Sequence, residues 1–241
     1  MKLIEVETYE QLSEKTSELI INKIKNDPHT KLGLATGSTP LGAYKRLIAD
    51  HTKNGTSYEH VITVNLDEYV GLAESHSSSY RYYMNEELFN HINIKRENAH
   101  VPDGTAEDLD EECKRYEALI DNLGGIDLQL LGIGQNGHIG FNEPGTPFDS
   151  VTHVVELTEN TRRVNGRFFK DIDEVPTRAI TMGIASILKS KEIVLLISGK
   201  QKAEALHRLL HEEISEQFPA SALKSHPNFT VIYDKAALEG V

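Results

Sequence analysis

One cysteine, Cys113, occurs in the whole chain, which excludes an internal disulfide and a cysteine-based zinc cluster. It lies in Asp110-Glu111-Glu112-Cys113-Lys114, where neighbouring carboxylates oppose thiolate formation and argue against a nucleophile. Positive charge is scarce. Lys and Arg total 25 against 37 Asp and Glu, and the formal net charge of −12 excludes a whole-molecule basic field for nucleic acid or anionic lipid. Any anionic ligand must be held by a local pocket. No apolar run approaches the ~20 residues of a membrane span. The N-terminal Met1-Lys2-Leu3-Ile4-Glu5-Val6-Glu7 places two acids where a signal peptide needs apolar residues, so the expectation is a cytoplasmic protein without a membrane partner. No Ser/Gly- or Pro-rich linker, repeat or low-complexity tract divides the 241 residues, and one domain over 1–241 is expected.

What the chain does have is an alternation of short apolar runs and helical periodicities. Thr8 and Gln11 form a possible capping box ahead of a helix over 9–25, with Leu12, Leu19, Ile20 and Ile24 at helical spacing. The run 32–35 reads as a strand, 36–40 as a tight polar turn, and Tyr44, Leu47 and Ile48 as the following helix. Further strands are expected at 61–65, 126–131, 152–157, 192–198 and 230–233, with helices at 77–90, 106–122, 178–189 and 200–210. This order predicts an α/β fold of Rossmann-like type, with a mainly parallel sheet and helices on both faces. Ligands of such sheets bind beyond the carboxyl ends of the strands, where three polar loops fall: 36–40, 65–69 and 132–145.

Thr36-Gly37-Ser38-Thr39-Pro40 offers backbone N–H groups, hydroxyls and a helix start, which suits a phosphate. Its hydroxyls equally suit helix capping, and it lacks the lysine and length of a Walker A loop. Gly132-Ile133-Gly134-Gln135-Asn136-Gly137 spells G-x-G-x-x-G after a strand, the form of a dinucleotide fingerprint. The residues that follow, from His138 to Pro147, are crowded with helix breakers, so the helix that would face a pyrophosphate is missing and a nicotinamide site is disfavoured. Within that loop Asn136, His138 and Glu143 bring an amide, an imidazole and a carboxylate together, equipment for moving protons near neutral pH. Their spacing matches no standard metal motif. Asp67 and Glu68 end a strand, and alternation sends only one of them into a pocket. Arg162, Arg163, Arg167, Lys200 and Lys202 could clamp a phosphate or form a solvated basic face, with Lys202 placed nearest the active edge.

Taken together, Leu32-Gly33-Leu34-Ala35-Thr36-Gly37-Ser38-Thr39-Pro40, Asn65-Leu66-Asp67-Glu68-Tyr69, Gly137-His138-Ile139-Gly140-Phe141-Asn142-Glu143-Pro144, Asn165-Gly166-Arg167-Phe168-Phe169 and Ser198-Gly199-Lys200-Gln201-Lys202-Ala203 resemble the glucosamine-6-phosphate deaminase family over nearly the full length. The resemblance implies conversion of glucosamine 6-phosphate to fructose 6-phosphate and ammonia, with no metal or other cofactor. It implies that Asp67 takes the C2 proton, and that His138 opens the sugar ring with help from Glu143 and the residue at 136. It also implies that Thr36, Gly37, Ser38, Thr39, Arg167 and Lys202 hold the phosphate. Many members carry Asp where this chain has Asn136, so Asn136 is expected to orient His138 rather than to act as a base. Longer members are hexamers activated by N-acetylglucosamine 6-phosphate. Here His153, Val155 and Glu156 replace their basic residues and the chain stops soon after its last strand, which implies a non-allosteric monomer or small homo-oligomer.

Two other functions compete. A 6-phosphogluconolactonase shares the fold, but its pattern resembles Asp-Glu-Arg where this chain has Asp67-Glu68-Tyr69, and it lacks Phe141-Asn142-Glu143-Pro144. A sugar-phosphate sensor would report to an output element, and neither a DNA-binding helix-turn-helix nor a basic patch is evident. Residues 142–165, punctuated by glycine and proline before Arg167, are the expected lid.

Overall fold

The computed structural model describes residues 1–166, 169, 171 and 174–239. The first half of the chain runs β1 (Lys2–Val6), α1 (Tyr9–Asn26), β2 (Lys31–Leu34), α2 (Leu41–Asn54), β3 (Ile62–Asn65), β4 (Asp67–Tyr69), α3 (Tyr80–Glu87), β5 (Ala99–His100) and α4 (Leu109–Asn122). The second runs β6 (Leu128–Gly132), β7 (His153–Glu156), α5 (Glu159–Asn165), β8 (Arg178–Thr181), α6 (Ile184–Leu188), β9 (Ile193–Ile197), α7 (Ala203–His211) and β10 (Phe229–Asp234).

Seven strands form a wholly parallel sheet in the order β1-β10-β9-β6-β2-β3-β5. Its central strands are apolar runs because both faces are covered. Leu130, Val194 and Leu196 point to one face, where Leu12 and Ile20 of α1, Tyr44 and Leu47 of α2 and Met84 of α3 are buried. Leu131, Leu195 and Ile197 point to the other, against Tyr116 and Ile120 of α4, Ile187 of α6 and Leu206 and Leu209 of α7. The expected α/β architecture with helices on both faces is therefore observed. Strands 2, 3 and 5 are laid down in one direction and strands 6, 9 and 10 in the other, so the order reverses between the neighbours β2 and β6. The turns that leave those two strands, 36–40 and 132–138, diverge to opposite faces and leave a crevice between them.

A small antiparallel sheet, β4-β8-β7, stands at that end of the molecule and was not foreseen. The helix expected over 178–189 is corrected accordingly. Residues 178–181 form β8, and only Ile184–Leu188 is helical. Ile180 and Thr181 are β-branched, and pairing of Ile180 with Glu68 and Val154 overrides the local helical pattern. The run 152–157 is a strand as expected, but it belongs to this small sheet rather than the parallel one. The edge strands β1 and β5 were also missed.

Buried Asp234 closes the far end of β10. It accepts hydrogen bonds from the Ser198 hydroxyl and from the backbone N–H groups of Gly199 and Ala237, both at 3.0 Å. This fixes the turn after β9 that leads to Lys202. Asp234→Ala strands three donors, and unfolding in urea should show a loss of about 3 kcal/mol.

Candidate active site

A cavity of about 580 Å³ occupies the crevice, lined by the turn 36–39, Asp67, Tyr80, the loop 132–138 with Phe141, Thr161 and Lys202. Its place at the strand-order reversal follows from the topology, and its size suits a small organic ligand.

Asp67 and Glu68 are both buried, yet they meet different surroundings. Glu68 turns away from the cavity and accepts the N–H groups of Tyr69, Tyr80 and Arg81 at 2.8–2.9 Å, capping the start of α3. Asp67 turns into the cavity, and among the described residues no donor reaches its carboxylate. Burial, with Glu68 beside it, pushes Asp67 up to about 8. Burial also raises Glu68, to about 7, although its three backbone bonds and Arg81 oppose the shift. As alternation in a strand requires, one carboxyl serves structure and the other faces the ligand space.

Across the cavity, Asn136, His138 and Glu143 form a chain. The Asn136 amide donates to Glu143 Oε2 at 2.7 Å, so its oxygen faces the His138 ring and accepts from Nδ1 at 2.8 Å. A carboxylate can only accept, which fixes the amide's orientation, puts the ring proton on Nδ1 and leaves Nε2 with a lone pair. Burial pushes the His138 pKa below the ordinary value, against the pull of Glu143 and with help from Lys202, and this favours a neutral ring. Glu143 Oε1 accepts from the Thr161 hydroxyl at 2.5 Å, so both carboxylate oxygens are held.

The glycines that imitate a dinucleotide fingerprint have another purpose. A Cβ on Gly134 would come within 2.2 Å of the His138 ring, and one on Gly137, whose φ is 86°, within 2.2 Å of Phe218. No helix follows the loop. Phe141 N–H bonds the Thr181 hydroxyl and the Asn142 amide bonds the Ile139 and Met182 carbonyls, tying it instead to the end of β8.

Of the residues expected at the site, Asp67, Asn136, His138, Thr36, Gly37, Ser38, Thr39 and Lys202 line one cavity, and Glu143 lies directly behind Asn136. Lys202 Nζ donates to the Ile133 carbonyl at 2.7 Å, which holds the ammonium at the cavity wall. Arg167 lies outside the described residues. Arg162 donates to the Val175 carbonyl instead, and neither it nor Arg163 lines the cavity. Thr161 was missed. The Thr158 hydroxyl caps α5 by accepting the Thr161 N–H, but nothing local reveals a bond to a carboxylate 18 residues earlier. Among the described residues no cluster of three or more His, Cys, Asp or Glu could hold a metal, and no helix is long and apolar enough to cross a membrane.

Fold and cavity define a doubly wound α/β protein with a buried carboxyl and an amide-linked imidazole and carboxylate at the switch in strand order. Residues 5–232 match the family model described as glucosamine-6-phosphate isomerases/6-phosphogluconolactonase, and the chain belongs to that family. It is 57% identical over 238 residues to a glucosamine-6-phosphate deaminase of Geobacillus sp. (strain WCH70), covering 99% of this chain and 95% of the relative. It is 54% identical to one of Bacillus velezensis, with 100% of each covered. A solved structure described as a monomeric glucosamine-6-phosphate deaminase superposes with a TM-score of 0.97 at 54% identity, covering 98% of both chains. The 6-phosphogluconolactonase of Trypanosoma cruzi shares the fold, with a TM-score of 0.80 at 18% identity over 100% of this chain and 96% of that one.

A carboxyl whose folded pKa lies above its ordinary value weakens the fold as pH rises between the two. Asp67→Asn should therefore raise the melting temperature, by little at about pH 4.5 and by more towards about pH 8. Asn136→Asp sets a negative charge beside Nδ1, and NMR titration should show the His138 imidazole protonating at higher pH than in the native protein.

Proposed function

We propose that this protein is a glucosamine-6-phosphate deaminase, releasing fructose 6-phosphate and ammonia. The observation that carries the reading is one cavity with Asp67 on one wall, the Asn136–His138–Glu143 chain on the other and the 36–39 turn between them. The reaction needs a ring opened, a proton moved from C2 to C1 and an amine lost, and the groups divide that work.

The sugar's phosphate sits against the turn 36–39 with Lys202 as counter-charge, and Arg167 completes the grip. Neutral His138 takes the proton from the anomeric hydroxyl through Nε2. Asn136 and Glu143 hold the resulting imidazolium, which gives that proton to the ring oxygen as its bond to C1 breaks. Asp67 then takes the C2 proton of the open-chain aldehyde while the ammonium at C2 gives up one proton and the C1 oxygen gains one, leaving a neutral enolamine, and Asp67 returns its proton to C1. The product is an imine at C2. Water adds there and ammonia leaves.

The high pKa of Asp67 in the empty cavity does not prevent this. A protonated amine arriving at C2 stands beside the carboxyl and favours its ionised form. Binding thus prepares the base. We further infer a cytoplasmic, non-allosteric monomer, supported by the likeness to the monomeric deaminase structure.

The test is to mix the purified protein with glucosamine 6-phosphate and assay ammonia and fructose 6-phosphate in parallel. Equal amounts of both are expected, with kcat reduced about 10²- to 10⁴-fold in Asp67→Asn and in His138→Gln. Hydrolysis of 6-phosphogluconolactone without ammonia release would reassign the cavity to the other activity named in the family.

A further inference from the structure

Backbone carbonyls of residues 35 and 37–39, in and just before the 36–39 turn, are held by tyrosines of three different helices. Tyr44 of α2 donates to the Ala35 carbonyl at 2.6 Å, and Tyr83 of α3 to the Gly37 carbonyl at 2.6 Å. Tyr9, the first residue of α1, divides its proton between the Ser38 and Thr39 carbonyls at 3.0 and 3.1 Å. The same hydroxyl accepts the Gly42 N–H at 2.9 Å, filling one of the unpaired donor positions of α2's first turn. Among the described residues, the N–H groups of Gly37, Ser38 and Thr39 donate to no other protein group.

A peptide unit points its N–H and C=O to opposite sides, so a donor that fixes the carbonyl outside the turn also aims the N–H inwards. An anion bound at the turn gains from inward N–H groups and is repelled by any carbonyl that rotates toward it. Burial pushes Tyr44 and Tyr83 above the ordinary tyrosine range, so both hydroxyls stay protonated and can only be donors to these carbonyls. Tyr44 is fully buried, while Tyr9 and Tyr83 are half-buried at the rim of the turn, with Tyr83 also lining the cavity.

We propose that Tyr9 and Tyr83 are positioning residues for phosphate recognition: by holding the Ser38 and Gly37 carbonyls outward they preorganise the Thr39 and Ser38 N–H groups, the other ends of those peptide units, for the substrate's phosphate. The proposal rests on the function given above for its substrate, but not for its ligand chemistry, which is a phosphate dianion. Neither tyrosine takes part in proton transfer. Preorganisation of this kind lowers the cost of binding without altering the chemical step.

The experiment compares Tyr9→Phe, Tyr83→Phe and their combination with Tyr58→Phe, a control that removes a buried hydroxyl without a hydrogen-bond partner far from the turn. Steady-state kinetics give KM and kcat for glucosamine 6-phosphate, and calorimetry gives the affinity for inorganic phosphate. Each rim variant should raise KM and weaken phosphate binding about fivefold, the size of one neutral hydrogen bond, with kcat within twofold of native. Tyr58→Phe should change neither. Unchanged KM and phosphate affinity in rim variants with native melting curves would overturn the proposal, as would a fall in kcat with KM and phosphate affinity intact. A native protein that binds inorganic phosphate but does not turn over the sugar would refute the deaminase reading alone, and calorimetry on the same variants would still decide the role of the tyrosines.

Discussion

Everything at the site depends on keeping one carboxyl, Asp67, buried at the cavity wall where, among the described residues, no hydrogen-bond donor reaches it. A buried carboxylate of that kind is unfavourable and persists only where the surrounding structure holds it firmly. Here the backbone of Asp67 is fixed on both sides. Leu66 bonds across to Leu34 and Met182, and the following residues pair with β8. Glu68 turns the other way and accepts the N–H groups of Tyr69 and, at the start of α3, of Tyr80 and Arg81, which holds the segment in this orientation. Two adjacent acids thus meet opposite surroundings: one secures the scaffold, and the other faces the cavity with a raised pKa, the property that the proposed C2 proton transfer uses.

The remaining parts of the site follow from sheet topology. Reversal of strand order between β2 and β6 sends α2 to one face and the loop after β6 toward the other, opening the cavity between them. The small sheet β4-β8-β7 then closes one side. Thr181 holds the Phe141 N–H, and Asn142 reaches Met182, so the loop carrying His138 is tied to the strand that pairs with Asp67. Asp67 and His138 are thus held in one frame, an arrangement that the proposed two-step chemistry on one bound sugar would use.

Much of this was legible in the chain, because the loops carry local signals. Polar turns after apolar runs located the 36–40, 65–69 and 132–145 segments, and alternation alone foretold that only one of Asp67 and Glu68 would enter the cavity. The helix breakers after Gly137 argued against a helix directly behind that loop, none forms there, and the structure adds a reason for Gly134 and Gly137, which is space for His138 and Phe218. What was not legible depends on distant partners. Residues 178–181 have a helix-compatible pattern and become a strand only because β4 and β7 lie on either side. Thr161 reads as a residue in a helix's first turn, and Tyr9 as an amphipathic helix start. Their bonds to Glu143 and to the 38–39 carbonyls span contacts that no periodicity encodes.

The central claim is that Asp67 removes the C2 hydrogen of the sugar. The most direct measurement follows loss of the C2–H signal of glucosamine 6-phosphate by proton NMR in D₂O, comparing the native protein with Asp67→Asn. The account predicts C2–H cleavage by the native protein and a rate at least about 100-fold lower in the variant, with the sugar phosphate still bound. Cleavage at an undiminished rate in Asp67→Asn would contradict it and require another base.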